Sequence, residues 1–368
     1  MKKISLGMLI VLFMTFAGLQ AAVIQVEAGA DVISAAIGTA ADGDIIELTT
    51  DGGVYTESSK FSSVSMSLTI RAAEGMANKP VVQVTTGGDY VFKLTGTTGL
   101  FSLQGIEFDG TAGTGSGENK YITRIDNGDS TGTLNVEILD CYLHDFVDKI
   151  VKVYPASGVA SILIDNSIFE NGSSEGICLY DGSSSTGGSI VGSATITNST
   201  FNNIAREAVK FEQYTETVIL IDHCTFNNVG ATGNKGMVRT RDASNVTVSN
   251  SIFNGNMGDG DNFVDLTDAT SLVNNISVWN VANFDIGNAT VSDTLQLDPG
   301  FADAANGDFS LPTDSPLLTF ASDGGPIGDP RWAPAATVIQ VAAGADVISA
   351  AISSASSGDI IELITDGG

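Results

Sequence analysis

One short phrase recurs six times between residues 134 and 281: apolar, any, apolar, any, Asn or Asp, small, any, large apolar. Its last positions are Leu143, Phe169, Phe201, Phe226, Phe253 and, in a degraded copy, Val278, at spacings of 26, 32, 25, 27 and 25 residues. Such a period is typical of stacked repeats that are each too small to bury their own apolar face. The alternation indicates strands. The phrase therefore predicts an all-β solenoid, a right-handed parallel β-helix with one coil per period. A β-sandwich is the alternative, but sandwiches rarely repeat one phrase in phase.

Stacked coils place equivalent residues in columns about 4.8 Å apart. We expect an inward aromatic stack formed by Phe169, Phe201, Phe226 and Phe253. We expect a second column at the bend of each coil, where Asn tolerates left-handed backbone and its amide can bond from coil to coil. That column contains Asn166, Asn198 and Asn250. His223 occupies the same position of the phrase, so a structural role is expected for it.

The charge balance, the N-terminal segment and the cysteines indicate which partners and which cellular location suit this chain. The formal net charge is −27, with only 16 Lys and Arg, so nucleic acid and anionic membranes are poor partners. Residues 1–22 have two Lys, an apolar run and a small-residue end, which is typical of a bacterial export signal. No later run is long enough to span a bilayer. Cys141 and Cys224 share one column three coils apart, too far for a disulfide, and Cys178 has no evident partner.

The ends of the chain are distinct from the repeats. Residues 32–37 form one apolar helical face, which predicts a short N-terminal capping helix on a β-helix domain spanning 23–332. Turn-rich residues 298–332 are expected to close the other end. After a linker, 333–337, residues 338–368 repeat residues 23–53 with six substitutions. The repeat predicts a truncated second, tandem β-helix domain, or else an assembly artefact. Its 31 residues are too few for a core of their own, so we expect them to pack loosely.

A second strand follows each bend, and its copies align too. Because side chains alternate along a strand, the second and fourth residues of each copy are expected to point outward. The second positions are Lys152, Cys178, Lys210, Arg239 and Asp265. The fourth positions are Tyr154, Tyr180, Glu212, Arg241 and Thr267. Bases gathered on one face of an acidic protein indicate an anionic ligand, and tyrosine rings offer flat surfaces for sugars. The alternative is an ordinary exposed sheet, which favours the same residue types.

The helix, the Asn and Phe columns and the Asp-Pro…Gly-Asp-Phe…Ser-Pro ending resemble secreted bacterial β-helix proteins of the polysaccharide-lyase kind. The resemblance is strongest to chondroitinase B and the alginate lyases, and extends to related domains of unknown function. In those lyases a Lys in an Asn-Lys-Ser phrase and an Arg in a Leu-Arg-His-Gly phrase act on the sugar beside its carboxylate. Here Gly236-Met-Val-Arg-Thr-Arg241 is similar to the Arg phrase and gives Arg241 that place. Glu212 stands in the Lys column, with Lys210 two residues earlier, so the pair is half reproduced.

The resemblance implies β-elimination as the possible reaction, with Lys210 as base and with Arg239 and Arg241 neutralising a uronate carboxylate. Lys152, Tyr154, Tyr180 and Glu212 would bind substrate. Hydrolysis by paired carboxylates, Glu212 with Asp265, is another route.

Metal binding is a weaker expectation. Asp259, Asp261 and Asp265 offer oxygen ligands of the calcium type, although their spacing is not that of an EF-hand loop and an acidic turn is the other interpretation. No cofactor is required. We predict a monomer, secreted or on the cell surface, that contacts an acidic polysaccharide, with lyase activity as a hypothesis. The alternative is a non-catalytic adhesion or spacer module built of tandem β-helix domains, which the restart at residue 338 favours.

Overall fold

The computed structural model describes residues 21–364 except 87, 89, 97–98, 113–119, 127–132, 155–156, 181–189, 213–216, 233–235, 242–244, 256–263, 267–269, 282–285, 336–337, 345 and 356–359. It does not describe the side chains of Tyr180, Glu212, Arg241 and Asp265. Residues 1–20 of the predicted export signal lie outside the described residues. Within the described part, no helix is long and apolar enough to cross a membrane.

Short strands make up most of the described chain. The first are β1 (Val23–Val26), β2 (Ile45–Leu48), β3 (Val54–Glu57), β4 (Leu68–Ala72), β5 (Val81–Val84), β6 (Phe92–Leu94), β7 (Gly99–Gln104), β8 (Glu107–Asp109), β9 (Thr123–Ile125), β10 (Leu134–Leu139), β11 (Tyr142–His144), β12 (Val151–Val153) and β13 (Gly158–Asp165). They are followed by β14 (Ile168–Gly172), β15 (Ile177–Tyr180), β16 (Ile190–Thr197), β17 (Thr200–Ile204), β18 (Val209–Glu212), β19 (Val218–Asp222), β20 (Thr225–Asn227), β21 (Val238–Arg241), β22 (Asn245–Asn254), β23 (Val264–Leu266), β24 (Leu272–Trp279), β25 (Thr290–Leu295), β26 (Val338–Ala342) and β27 (Ile360–Ile364). The α-helices are α1 (Val32–Thr39) and α2 (Val347–Ser354).

The strands stack in parallel on three faces. The first face contains β1, β2, β4, β7, β10, β13, β16, β19, β22, β24 and β25. The second face contains β3, β5, β8, β11, β14, β17 and β20, followed by the second halves of β22 and β24. The third face contains β6, β9, β12, β15, β18, β21 and β23. Each strand pairs with its equivalent in the next coil, so the predicted parallel β-helix is confirmed.

The aromatic column is formed as predicted. Ring centroids lie 4.9 Å apart for Phe169 and Phe201, 5.2 Å for Phe201 and Phe226, and 4.7 Å for Phe226 and Phe253. The last two pairs are within 6° of parallel. All four rings are fully buried in the main core. The large apolar residue of the phrase is therefore explained by packing.

The bend column also adopts the predicted backbone. Asn166, Asn198, His223 and Asn250 all have left-handed φ angles, between 47° and 51°. The amides bond from coil to coil, but to carboxylates of the residue before the bend: Asn198 Nδ2 donates to Asp165 Oδ1 at 2.8 Å, and Asn250 Nδ2 donates to an Asp222 oxygen at the same distance. His223 Nδ1 contacts Asp222 at 2.8 Å. These contacts account for His223 as a structural residue.

The small residue after the bend is a buried hydrogen-bonding position. The hydroxyl of Ser167 accepts from the Cys141 amide, and that of Ser251 accepts from the Cys224 amide, both at 3.1 Å. All three cysteines of the chain are free and buried. Cys141 and Cys224 are in the main core, where they fill a small-residue position of the repeated phrase.

Residues 296–332, here called the strap, run back along the second face. Ser277 in the last full coil donates to the Leu297 carbonyl at 3.2 Å, whereas Gly328 N donates to the Asn250 carbonyl at 2.8 Å. Further along the strap, the Arg331 guanidinium donates to Asn166 Oδ1 at 2.9 Å. The strap passes along this face more than once, because Gly307 lies beside Glu170 whereas the Phe320 carbonyl accepts from Asn275 at 3.0 Å. The expectation that these residues close the C-terminal end is wrong.

The outer surface of the second face explains why the strap binds there. Ile252 points out of the main core and is buried with Leu311, Leu317 and Ile327 of the strap. Thr200 Oγ1 donates to the Asp329 carboxylate at 2.7 Å, and Thr225 Oγ1 accepts from the Asp329 amide at 2.9 Å. Apolar burial and buried hydrogen bonds together stabilise this arrangement.

The repeated segment folds locally like the first copy. β26 pairs with β27 in the register that joins β1 to β2. However, Ile348 is 47% exposed where its equivalent Ile33 is 1% exposed, and Ile352 is 61% exposed where Ile37 is 7% exposed. In the first copy α1 packs Ile33 and Ile37 into the main core. The loose packing expected of the second copy agrees with this exposed apolar face.

Candidate functional site

The third face carries the outward row predicted from the sequence. The paired positions run in coil order as Lys93, Arg124, Lys152, Cys178, Lys210, Arg239 and Asp265. Tyr180, Glu212 and Arg241 are likewise paired in the neighbouring row. The side chains of these three, and of Asp265, lie outside the description, as do Asp259 and Asp261. The row begins two coils earlier than predicted, at Lys93 and Arg124.

The middle of the row is outward but not exposed, which corrects the prediction. Lys210 and Arg239 are 8% and 6% exposed, and Cys178 is 1% exposed. Cys178 does not belong to the main core, although its strand neighbours Ile177 and Leu179 do. Burial raises the pKa of the Cys178 thiol to about 12, so this thiol is neutral near pH 7 and a poor nucleophile.

Buried carboxylates explain why these bases are covered. Glu175 and Glu207 are fully buried, and each stands two residues before a strand of the third face. We call Lys149, Glu175, Arg206, Glu207, Lys210 and Arg239 the ion cluster. Glu175 lies 3.2 Å from Lys149, 3.4 Å from Arg206 and 3.3 Å from Lys210. Glu207 lies 3.3 Å from Arg239 and 3.6 Å from Arg206.

The ionisation of Glu175 depends on the cations of the ion cluster. Burial alone would raise the pKa of Glu175, but a hydrogen bond from Ser174 and the charges of Lys149, Arg206 and Lys210 lower it to about 2. Glu175 is therefore an ionised carboxylate, and the Lys210 side chain would have to leave it before it could reach a substrate proton. The sequence does hold a signal for this cluster, because Glu175 and Glu207 occupy equivalent positions in successive coils.

Aromatic rings and cations lie together over the earlier coils. We call Tyr90, Tyr121, Arg124, Lys152 and Tyr154 the tyrosine patch. The Arg124 guanidinium is 3.9 Å from the Tyr154 ring centre and 5.8 Å from that of Tyr90. The Lys152 ammonium is 4.3 Å from the Tyr154 ring and 5.4 Å from the Tyr121 ring. Cations at these distances are attracted to the ring faces.

Hydrogen bonds hold the patch in place. Tyr121 Oη donates to Asp148 at 3.0 Å. Burial and the negative charge of Asp148 raise the pKa of the Tyr121 phenol. Arg124 contacts Asp126 at 3.1 Å and keeps 19% of its side chain exposed. Sequence reasoning found Tyr154 and Lys152 but missed Tyr90, Tyr121 and Arg124. Their signal is a Tyr three residues before a cation, at Tyr90 with Lys93 and at Tyr121 with Arg124.

Within the described residues, a separate acidic group lies on the second face. Donor atoms of Asp109, His144 and Asp145 lie within 4.8 Å of one another. Both ring nitrogens of His144 already contact carboxylates, Asp145 at 2.6 Å and Glu107 at 3.3 Å. The position of the imidazole between two carboxylates accounts for these contacts without a metal. The sequence analysis did not single out this group.

Comparison with known proteins agrees with the fold. A family model described as a domain of unknown function, DUF5123, matches residues 219–332, a stretch from β19 through the strap. No curated protein sequence matches the chain. The alginate lyase AlyGC of the PL6 family has a TM-score of 0.56 at 17% identity, covering 75% of this chain and 39% of AlyGC. A mutant of AlyGC gives a TM-score of 0.51 at 18% identity with the same coverage.

The chain thus spans about two fifths of the length of AlyGC, 39% of that chain. The pectate lyase Pel9A covers 83% of this chain and 93% of its own length at 12% identity, but its TM-score is 0.37 and we infer nothing from it. At such identities the likeness to AlyGC concerns the fold alone. The predicted resemblance to β-helix polysaccharide lyases is confirmed at that level: the protein is a parallel β-helix of the polysaccharide-lyase-like fold.

Proposed function

We propose that the protein is an exported β-helix protein that binds an anionic polysaccharide through the tyrosine patch. The observation that supports this most directly is the position of Arg124 between Tyr90 and Tyr154, with its side chain still partly exposed. A guanidinium can bind a uronate carboxylate in bidentate fashion, while the half-buried rings of Tyr90 and Tyr154 add apolar surface beside it. Lys93 and Lys152 extend the positive row by one coil on each side.

The spacing of the row suits a polymer. Neighbouring coils are about 4.8 Å apart, so successive cations repeat at a distance comparable to one extended sugar unit. A chain lying along the row would meet Lys93, Arg124 and Lys152 in turn. Binding of this kind relies on charge, so it should weaken as salt is added.

β-Elimination is less well supported than binding. Lys210 and Arg239, the expected base and carboxylate ligand, are buried and contact Glu175 and Glu207. Arg241 and Glu212 are adjacent in the paired strands, which is the backbone arrangement expected of the lyase pair. Substrate would have to displace Glu175 from Lys210 for the reaction to begin. We therefore favour a non-catalytic glycan-binding or surface module over a lyase.

Further parts of the proposal concern the ends of the chain. Residues 1–22 would direct export, and α1 would cap the right-handed solenoid at its N-terminal end. The α1 amides of Ile33 and Ser34 donate to the buried Glu57 carboxylate at 2.9 and 3.3 Å, which fixes the helix on the first coils. N-terminal sequencing of the protein recovered from culture medium tests the export signal. A mature chain that begins near residue 22 is expected.

The binding test uses matched arginines. Alginate, pectate and chondroitin sulfate are titrated with and without calcium against the wild-type chain, Arg124→Ala and Arg71→Ala. Arg71 lies on the first face and pairs with Glu47 at 2.7 Å, much as Arg124 pairs with Asp126. We expect Arg124→Ala to weaken binding about 5- to 30-fold, equivalent to about 1–2 kcal/mol, and Arg71→Ala to leave it unchanged.

The same samples test catalysis. Ultraviolet absorbance of unsaturated uronates is followed for each polymer. Binding without absorbance supports the non-catalytic module, whereas absorbance that depends on Lys210 would establish a lyase. Equal affinity in the two arginine variants, or no binding of any polymer, would refute the proposed role of the tyrosine patch.

A further inference from the structure

A small aromatic cavity lies where the strap meets the second face. Its volume is 160 Å³, and its walls include Tyr142, Phe309 and Trp332. Glu170, the third residue of β14, contributes a carboxylate to the lining. The cavity lies on a different face from the tyrosine patch and uses none of its residues.

The aromatic walls are fixed before any ligand binds. Phe309 is fully buried, and its ring meets that of Trp332 edge-on at 5.3 Å and 73°. Trp332 Nε1 donates to Thr200 Oγ1 at 2.7 Å. At Gly307, where φ is 82°, an added Cβ would lie 4.0 Å from Glu170 Oε1. The positive φ favours glycine at this turn of the strap, and the buried Phe309 with the hydrogen-bonded Trp332 leaves the cavity preorganised.

The Glu170 carboxylate is held by neutral donors. The Tyr142 hydroxyl donates to one oxygen, and Asn202 Nδ2 donates to the other at 2.6 Å. Burial and the hydrogen bond to Glu170 raise the pKa of Tyr142, so the phenol remains a neutral donor near pH 7. Among the described residues, no Lys or Arg forms an ion pair with Glu170.

The surroundings add negative charge. Glu107, Asp109 and Asp145 lie in neighbouring coils of the same face, beside His144. The His144 ring stacks on Tyr142 with 4.4 Å between ring centres, which ties the acidic group to the cavity wall. The Arg331 guanidinium lies 6.0 Å from the Trp332 ring centre, but it contacts the Asp329 carboxylate at 3.1 Å. A cation approaching the cavity therefore meets the carboxylates of the second face and an aromatic lining.

We propose that this cavity binds an ammonium group, either quaternary or primary alkylammonium. The aromatic walls and the single carboxylate match the chemistry by which proteins recognise such cations. The volume of 160 Å³ is that of about five water molecules and is below the roughly 300 Å³ of a pocket for a drug-sized ligand. The cavity therefore fits one head group, and the rest of the ligand would remain outside.

The test compares cations with a neutral molecule of the same shape. Tetramethylammonium, choline and n-butylammonium are titrated against the full chain, with 3,3-dimethylbutan-1-ol as the neutral analogue of choline. Binding is followed by fluorescence, since Trp332 is one of two Trp in the chain. The variants are Glu170→Gln and, as a matched control, Glu137→Gln, whose carboxylate accepts from Ser102 at 3.0 Å on the first face.

At least one cation should bind in the millimolar range or tighter, and Glu170→Gln should weaken it at least about fivefold. Glu137→Gln should have no effect, and the neutral alcohol should bind at least about fivefold more weakly than choline. Equal binding of the alcohol, unchanged binding in Glu170→Gln, or no cation binding at all would overturn the proposal. If Glu170→Gln fails to fold, Ile168→Trp, which fills the cavity from β14, replaces it and should abolish binding. Arg124→Ala should leave ammonium binding intact, so the glycan proposal and this one can fail separately.

Discussion

The ion cluster permits a quantitative prediction for Glu175→Gln. Glu175 is fully buried, and three cationic side chains lie within 3.4 Å of its carboxylate. The neutral glutamine would no longer balance the positive charge of these three side chains. The pKa falls from 4.5 to about 2 in the folded chain, a difference worth about 3 kcal/mol at about 1.4 kcal/mol per pH unit. Loss of one member of a buried ion pair costs a similar amount, about 3–5 kcal/mol. We expect the variant to lose about 3 kcal/mol of unfolding free energy at pH 7.

The pH dependence separates this cause from ordinary loss of packing. Because the folded pKa is lowered, the stabilisation is fully present above about pH 4.5 and is lost as the pH falls toward 2. Urea unfolding of wild type and Glu175→Gln, followed by circular dichroism, should show a gap at pH 7 that narrows steadily below pH 4.5. Glu74→Gln, at an exposed turn, should match wild type throughout. A gap below about 1 kcal/mol, or one that does not change with pH, would refute the electrostatic reasoning.

Three further changes probe the scaffold. Phe226→Ala removes a fully buried ring stacked between two others and should cost about 3–5 kcal/mol by calorimetry; a loss below about 1 kcal/mol would contradict the stack. Asn198→Ala removes the hydrogen bond to Asp165 and places alanine in a left-handed backbone conformation, so it should lower the free energy of unfolding by about 1–3 kcal/mol. Asn198→Gly should lower it less, because glycine accepts this backbone angle. Asp329→Ala removes the buried carboxylate that accepts from Thr200, so limited proteolysis should cut the strap faster; an unchanged cleavage rate would show that apolar contacts alone hold the strap.

Repetition made the coils predictable. The phrase that ends in Phe169, Phe201, Phe226 and Phe253 sets both the register and the inward column, because the same side chain must stack on itself in every coil. The bend was predictable for the same reason, since Asn recurs where the backbone needs a left-handed residue. The paired rows of the third face, from Lys152 to Asp265, also followed from alternation.

The strap and the ion cluster were not predictable in this way. Residues 296–332 have no repeat, so nothing local indicates that Asp329 will meet Thr200 some 129 positions earlier. Alternation assigned Lys210 and Arg239 to the outward side of their strands, but outward is not the same as exposed. Their burial depends on Glu175 and Glu207, which stand outside the strand pattern and make their contacts across coils.

The sequence by itself determined the parallel β-helix, its registers and its internal columns, because those depend on short patterns that repeat from coil to coil. Only the tertiary structure decided which outward residues remain accessible. It buried the predicted bases beside two carboxylates, gathered Tyr90, Arg124 and Tyr154 into a partly exposed patch, and laid the strap against the second face to enclose an aromatic cavity. These features depend on contacts between residues far apart in the chain. A short repeated pattern in the sequence does not indicate which distant residues will meet or how strongly they will interact.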